Sequence, residues 1–595
     1  MTRDIREFLE IKSSFPTGFS PDGSKILITS NLSGTYQLYT TDRGGSDLVG
    51  VTDFTEPVTG RYLPDRDRLV VSMHEGGNER DQIYLLDDDG GDLEKVVYDP
   101  RFIHNLGGIS LDGSLMSFAS NRRNGVDFDV FVRNLRTGEE KVAFDQGGFC
   151  VAGGFSPDGR YVGITKLTER TGDNDSYLVD LETLEVINIA PHEDADDAEV
   201  GSPVWLPDGS AFFFSTDLGR DRVAVARYEM STGDWDYVIE ADWDSRCLMD
   251  LGGKRLFVNT NDNGRSRLTT YDPQTLERIG EIELPGEGVI VSTSLSKDGD
   301  WLAVGFMSAR EPGDSWLYDL EGGSSERITT SPNSVPAMEF IEPTQHTFAS
   351  FDGEEVPFFF YAPTDVPAKP PVIFYVHGGP ESQFRPMFIP VIAYLVQRGY
   401  AVAAPNVRGS TGYGKRYHHL DDIEKRLDSV RDLVSMADHL SERGLVDSSK
   451  IVLMGGSYGG YMVLAGLAFH PDRFAAGVDI VGISSLVTFL ENTSAWRRAF
   501  REREYGSLEE DKEFLIEASP ITRVDDLKAP LFIIHGNNDP RVPVGEAEQI
   551  HAALKERGVE TELLVYPDEG HGLAKLKNRL DAYPKVADFL DRVLA

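Results

Sequence analysis

A chain of 595 residues with 40% hydrophobic and 10% aromatic content has material for roughly two to four domains, and no stretch approaches the ~18 unbroken apolar residues of a membrane span. Acidic side chains outnumber basic ones by 98 to 58, a formal net charge of −40, and only 17 of the basic residues are lysine; a surface of that sign excludes nucleic-acid binding, which needs basic patches. Two cysteines, Cys150 and Cys247, are too few for a disulfide framework or a thiolate metal site and are expected as free buried thiols.

The acidity is spread along the chain, as in Asp87-Asp88-Asp89, residues 193–197 and Asp421-Asp422. It fits a protein adapted to high salt, where self-repulsion is screened over short distances and hydrated carboxylates keep the surface dissolved. The opening residues carry Arg3, Asp4, Arg6, Glu7 and Glu10 and no apolar core of the signal-peptide kind. The expectation is a soluble, cytoplasmic protein.

In chain order, residues 4–12 first read as a short amphipathic helix, which the pattern alone does not place. From about residue 15 to 335 a unit repeats. A polar turn, Ser-Pro-Asp-Gly or a relative of it, precedes an alternating apolar strand, as at Phe19-Ser-Pro-Asp-Gly23, Phe155-Ser-Pro-Asp-Gly159, Leu206-Pro-Asp-Gly209 and Ser296-Lys-Asp-Gly299. Pro presets the backbone and Asp-Gly supplies the left-handed corner of a tight hairpin. Weaker copies begin near Tyr62, Ile109 and Asp250. Seven copies at a period of roughly 43 to 50 residues match four-stranded blades arranged radially. The pattern predicts a seven-bladed β-propeller over 15–335, with residues 1–14 as the helical segment before it.

The rhythm changes beyond Ser331-Pro-Asn-Ser-Val-Pro336. Strands are predicted at 356–361, 372–376, 401–404, 451–454, 477–480, 531–534 and 563–565, with helical runs such as 429–443 and 545–557 between them. Alternation of this kind means a doubly wound, mostly parallel sheet, here an α/β-hydrolase domain over 345–595.

The chemistry concentrates in that second half. The strand at 451–454 runs into Gly455-Gly456-Ser457-Tyr458-Gly459, and a helix follows. G-x-S-x-G at a strand-to-helix turn is a nucleophile elbow, with the serine hydroxyl held above the sheet at a helix N-terminus. A serine nucleophile needs a base and the base an orienting acid, in the chain order Ser, Asp, His on this fold. His571 stands between Gly570 and Gly572 in a loop, a place suited to a base. Asp539, in His535-Gly-Asn-Asn-Asp539-Pro-Arg541, follows a strand, where catalytic groups gather. Asp568 is the rival acid, only three residues from His571 and poorly placed to reach Nδ1. The oxyanion hole is expected from the backbone N–H of Tyr458 and of Gly379, with Gly378 as second choice, in the loop His377-Gly-Gly-Pro380. His377 itself reads as structural. No metal-ligand spacing and no phosphate loop are present, so no metal or cofactor is expected.

These motifs, with Asn406-Val-Arg408-Gly-Ser-Thr-Gly-Tyr-Gly414 beside them, resemble the prolyl oligopeptidase family of serine peptidases. The His377-Gly-Gly-Pro loop is most similar to the acylaminoacyl-peptidase branch. The resemblance implies peptide-bond hydrolysis through an acyl-enzyme, with the propeller capping the site and admitting only short peptides, N-acylated ones included. It implies that Arg541, two residues after the acid, binds a peptide carbonyl. It also implies an S1 pocket lined from the segment 481–496, with Val481, Phe489 and Val542 as walls; these residues read equally well as plain core. A glutamate pair anchors the substrate amine in the dipeptidyl-peptidase branch. Here Glu139-Glu140 lies in an ordinary hairpin with no insertion to carry such an anchor, which argues against strict dependence on a free amino end. The expectation is an acylaminoacyl-peptidase or oligopeptidase, with a dipeptidyl aminopeptidase as the alternative and Glu79 as its alternative anchor. The expected partners are short peptides, with no nucleic acid and no membrane, and the resemblance admits a homo-oligomer. A carboxylesterase on the same fold and a non-catalytic scaffold are the competing readings.

Overall fold

The computed structural model describes residues 3–193, 196–364 and 369–594. Asp194 and Ala195 of the acidic stretch at 193–197, and the first two residues, lie outside the described ones.

Seven four-stranded antiparallel sheets occupy the chain from Ser14 to Arg327, each built from four consecutive strands. The first comprises Ser14–Phe19, Lys25–Ser30, Gln37–Asp42 and Val49–Gly50. Its turn shows why Ser-Pro-Asp-Gly recurs. Ser20 Oγ donates to Asp22 Oδ1 (2.7 Å) and accepts from the Lys25 N–H (2.9 Å), while Gly23 takes φ 71°, which glycine adopts without strain. The same serine–aspartate bond recurs at Ser110–Asp112 and Ser156–Asp158, each 2.6 Å.

Alternation along the second strand explains why one blade cannot stand alone. Leu27 faces Leu69 and Val71 of the next blade, whereas Ile26 and Ile28 face Ala303 and Leu317 of the seventh. Each sheet buries both faces, and only a closed ring supplies both neighbours. The ring closes without a shared strand: the Ser14 N–H donates to Gly313 O (3.2 Å) and Ser315 Oγ to Ser14 O (3.0 Å).

The second half holds one eight-stranded sheet: Thr344–Ala349 (β1), Glu355–Tyr361 (β2), Val372–Val376 (β3), Ala401–Pro405 (β4), Ile451–Gly456 (β5), Ala476–Ile480 (β6), Leu531–Gly536 (β7) and Thr561–Tyr566 (β8). Their order is β1-β2-β4-β3-β5-β6-β7-β8; β2 pairs antiparallel with both β1 and β4, and the other neighbours pair parallel. Alternate side chains of β5 go to opposite layers. Ile451 and Leu453 pack with the helices Arg426–Glu442 and Gly545–Glu556. Val452 and Met454 pack with Pro390–Gln397 and Leu576–Val593. Among the described residues no helix is long and apolar enough to cross a membrane.

The helix at the amino end is shorter than its pattern predicts, Ile5–Leu9, capped by the Asp4 side chain. It belongs to the second half. Phe8 is fully buried and meets Tyr394 edge-on (5.7 Å) and Phe340 (6.4 Å). The chain therefore starts on the α/β half, builds the propeller and returns.

Candidate active site

Ser457 follows β5 and caps the helix Tyr458–Phe469 with φ 58° and ψ −118°. Positive φ is uncommon for a residue with a side chain and costs about 1–3 kcal/mol. The close approach of β3 enforces it. A Cβ on Gly459 would lie 2.2 Å from Val376 O, and one on Gly455 would lie 2.6 Å from the Gly459 backbone. The Ser457 N–H is anchored to Ile480 O (2.8 Å), so the hydroxyl is left to the site. The Tyr458 ring points the other way, into the core, where its hydroxyl meets Ser429 Oγ (2.7 Å) and Asp421 (3.1 Å). That anchorage holds the first turn of the helix, and the Tyr458 N–H at its start has no intrahelical acceptor.

His571 Nδ1 lies 2.7 Å from Asp539 Oδ2. The other carboxylate oxygen, Oδ1, accepts the N–H groups of Arg541 (2.8 Å) and Val542 (3.0 Å). The loop after β7 thus fixes the acid through its own backbone. Asp568 turns instead to Lys577 (2.8 Å) and Asn578 (3.1 Å), and these partners hold its carboxyl at about 2. His377 is buried, with Nε2 on Ser410 Oγ (2.9 Å) and Nδ1 on Gly378 O (2.8 Å). Gly378 lies against the elbow, since a Cβ there would come within 3.4 Å of the Ser457 Cβ.

A cavity of about 290 Å³ is lined by Ser457, His571, Gly379, Phe489, Val542 and Arg541, with Glu381, Arg497 and Arg501 among its polar walls. Ser457 and His571 share this space without a hydrogen bond between them, a looseness common before substrate binds. Phe489 and Val542 belong at once to the wall and to the core. Val481 does not line the cavity. It follows β6 with φ 49°, gives its N–H to Ile534 O (2.8 Å), and is buried. Backbone pairing to β7 holds the conformation of Val481.

A second cavity, about 370 Å³, continues under the propeller and shares Arg497, Phe500 and Arg541 with the first. The propeller contributes His74, Glu79 and Asp81 to it, all from the loop between the strands Arg66–Met73 and Gln82–Asp87. Sequence reasoning did not see what this loop does. Gly76 O accepts from Asn538 Nδ2 (2.8 Å), and Gly77 sits so close to Gly570 that a Cβ on either would approach the other's backbone to 2.2 or 2.0 Å. Gly77 also has φ 76°. The loop consequently touches the segments carrying Asp539 and His571. It carries Glu79, itself at φ 55°, to Arg541, whose Nε lies 2.6 Å from Glu79 Oε1. The available signal was Gly76-Gly77 beside charged residues. Glu140, by contrast, is tied to Arg122 and to Arg133 (3.4 Å) within its own blade.

Trp496 reaches from the α/β half into the propeller, stacked on Phe149 (5.6 Å) and edge-on to Phe128 (5.6 Å). Both cysteines are free thiols, Cys150 buried and Cys247 half-buried. Among the described residues one acidic trio, Asp421, Asp422 and Glu504, brings ligand atoms within 4.8 Å of one another. The Arg426 guanidinium bridges Asp421 and Glu504 within this trio.

Chemically, the arrangement offers a hydroxyl on a strained turn, an imidazole backed by a carboxylate, and backbone N–H groups at a helix start. That is the equipment for acyl transfer through a covalent serine ester. Comparison with known proteins accords with it. The profile described as "Prolyl oligopeptidase family" matches residues 386–595, and that of its N-terminal beta-propeller domain matches residues 109–331. The chain is 28% identical over 548 residues to dipeptidyl aminopeptidase BIII of Pseudoxanthomonas mexicana, spanning 87% of this chain and 77% of that one. It is 31% identical over 232 residues to an acylamino-acid-releasing enzyme of Arabidopsis thaliana, spanning 37% and 30%. The fold superposes on a puromycin-hydrolysing peptidase of Mycobacterium tuberculosis with a TM-score of 0.85 at 19% identity, covering 100% of this chain and 96% of the other. With a propeller and a hydrolase sheet both of that lineage, the chain belongs to the prolyl oligopeptidase family of serine peptidases.

Proposed function

We propose that this peptidase removes short units from the free amino end of small peptides, through an acyl-enzyme on Ser457. In this reading His571 takes the Ser457 proton and passes it to the leaving amine, while Asp539 holds the imidazole tautomer. The N–H groups of Tyr458 and Gly379 receive the oxyanion. The observation that carries the choice of substrate end is Glu79. The propeller loop holds its carboxylate in the cavity that continues from Ser457, and a carboxylate there suits a substrate ammonium. Arg541, fixed by Glu79, keeps its remaining N–H donors for a peptide carbonyl. In this reading the propeller, whose loop lines the second cavity, restricts access to short chains. The name of the Pseudoxanthomonas relative points the same way.

The second reading is the acylaminoacyl type, in which the amino end is blocked. The His377-Gly-Gly-Pro loop and the similarity to the Arabidopsis enzyme favour it, as does the neutralisation of Glu79 by Arg541. We place the protein in the cytoplasm, a reading supported by the two unpaired thiols.

The test compares matched chromogenic peptides with free and acetylated amino ends, in molar KCl, on the wild type and Ser457→Ala. The expected result is preference for the free amine and a loss of several powers of ten in the variant. Equal or faster cleavage of acetylated substrates would install the second reading. Turnover of simple esters alone would end the peptidase assignment of the site.

A further inference from the structure

One side chain of the cavity has no task in that mechanism. The helix Ala495–Tyr505 carries four arginines along its length. Arg498 gives its Nε to Leu490 O (2.8 Å) and its Nη2 to Glu491 O (2.8 Å). Arg501 and Arg503 share Glu381, at 3.1 and 3.4 Å. Arg541, across the cavity, is held by Glu79. Of these five arginines, Arg497 alone has neither a side-chain hydrogen bond nor an ion pair to the described residues. Its one interaction is with the ring of Trp496, 5.0 Å from the guanidinium carbon. It lines both the cavity beside Ser457 and the cavity beside Glu79.

A half-buried guanidinium without a counter-ion is costly. Burial, with Arg501 and Arg541 nearby, pushes Arg497 down to about 10, so it stays charged at neutral pH. The imbalance is local. The cavity beside Ser457 is lined by Arg497, Arg501 and Arg541 against one carboxylate, Glu381, in a chain of net charge −40. Such a chain repels anions at a distance. An anionic group is admitted only where fixed guanidinium groups overcome that repulsion.

We infer that Arg497 is a specificity-determining residue that receives a carboxylate of the substrate peptide. The inference rests on the peptidase reading above. A planar guanidinium with free donors matches a carboxylate in two parallel hydrogen bonds. That carboxylate has two sources: an acidic side chain next to the scissile bond, or the free carboxyl end of a very short peptide.

The experiment reads a selectivity ratio. Chromogenic dipeptide amides, which have no terminal carboxylate, are compared with acidic and with neutral side chains at the two positions. Tripeptides with free and amidated carboxyl ends form the second arm. The wild type is expected to favour the carboxylate-bearing member of at least one pair. Arg497→Gln should reduce that ratio of kcat/KM by roughly tenfold to a hundredfold, Arg497→Glu should invert it, and Arg497→Lys should restore part of it. The arm in which the ratio moves identifies the source. Arg498→Gln removes a charge from the same helix outside the cavity and should leave the ratio where it was. A ratio unmoved by Arg497→Gln in both arms, in an enzyme that still cleaves neutral peptides, overturns the assignment of Arg497 alone. A protein that cleaves no peptide of either kind overturns the peptidase reading with it.

Discussion

Asp479 offers the sharpest test of the electrostatics beneath the elbow. It lies on β6, fully buried, opposite Gly455 of β5. Its carboxyl is wedged between Gly460 and Gly482; a Cβ on either would come within 2.4 and 2.1 Å of Oδ1. Neither oxygen has a hydrogen-bond partner. Burial raises its pKa to about 7, the nearby Gly482 N–H pulling down without a bond of normal geometry and Glu546 pushing further up. Against 3.8 for the free group, that rise corresponds to roughly 4 kcal/mol. The sign follows from linkage: the folded state binds the proton more tightly, so the penalty is absent below pH 4, grows as pH rises and saturates just above 7. Asp479→Asn removes the titration while keeping the shape. The stability of the variant relative to the wild type should therefore rise by about 2.5 kcal/mol between pH 5 and pH 8. Urea denaturation of both proteins in molar KCl across that range, followed at the transition of the α/β half, measures it. The amide's own unmet hydrogen bond shifts the whole curve but not its slope. A difference that stays flat with pH would refute the claim that this carboxyl is buried without a partner.

Gly77→Ala should separate the propeller loop from the His571 segment, because the new Cβ would lie 2.2 Å from the Gly570 nitrogen at a φ of 76°; kcat/KM is expected to fall at least tenfold with little change in the propeller's circular dichroism. His419 joins the halves, with Nε2 on Asp197 (2.8 Å) and Nδ1 on Asp422 (2.7 Å). Burial alone would lower its pKa, but these two hydrogen bonds prevail and raise it to about 10. Its stabilisation is complete below about pH 6.5 and is lost as pH climbs through 10. His419→Asn should thus lower the melting temperature clearly at pH 7 and much less at pH 10.5; an equal deficit at both would contradict the charged bridge. Finally, a net charge of −40 predicts a melting temperature that rises with KCl from 0.1 M to molar levels, as screening relieves self-repulsion. Independence from salt would remove the high-salt reading.

How much of this was legible in advance differs by element. The elbow was readable because its requirements are local: an apolar strand, glycines where β3 comes close, and a helix starting at once. The blades were readable because four of them repeat a serine–aspartate turn bonded within six residues, at Ser20, Ser110, Ser156 and Ser296. The strand at 344–349 was not. Its residues, Thr344-Gln-His-Thr-Phe-Ala349, are mostly exposed at the sheet edge, and only Phe348 among them is fully buried, so neither periodicity nor apolarity marks it. The helix at residues 5–9 was visible as a helix but not as part of the α/β half, since Tyr394 and Phe340 lie more than 300 residues away.

By itself, then, the sequence determined the two architectures, the serine turn, and the order of the acid and base along the chain. These depend on turn chemistry and side-chain periodicity, which act over a few residues. The tertiary structure alone decided that Glu79 meets Arg541, that Gly76-Gly77 presses on the loops of Asp539 and His571, and that Arg497 is left without a counter-ion among the described residues. Each of those is a contact, or a missing one, between segments distant in the chain. Only the packing of propeller against hydrolase sheet brings them within reach.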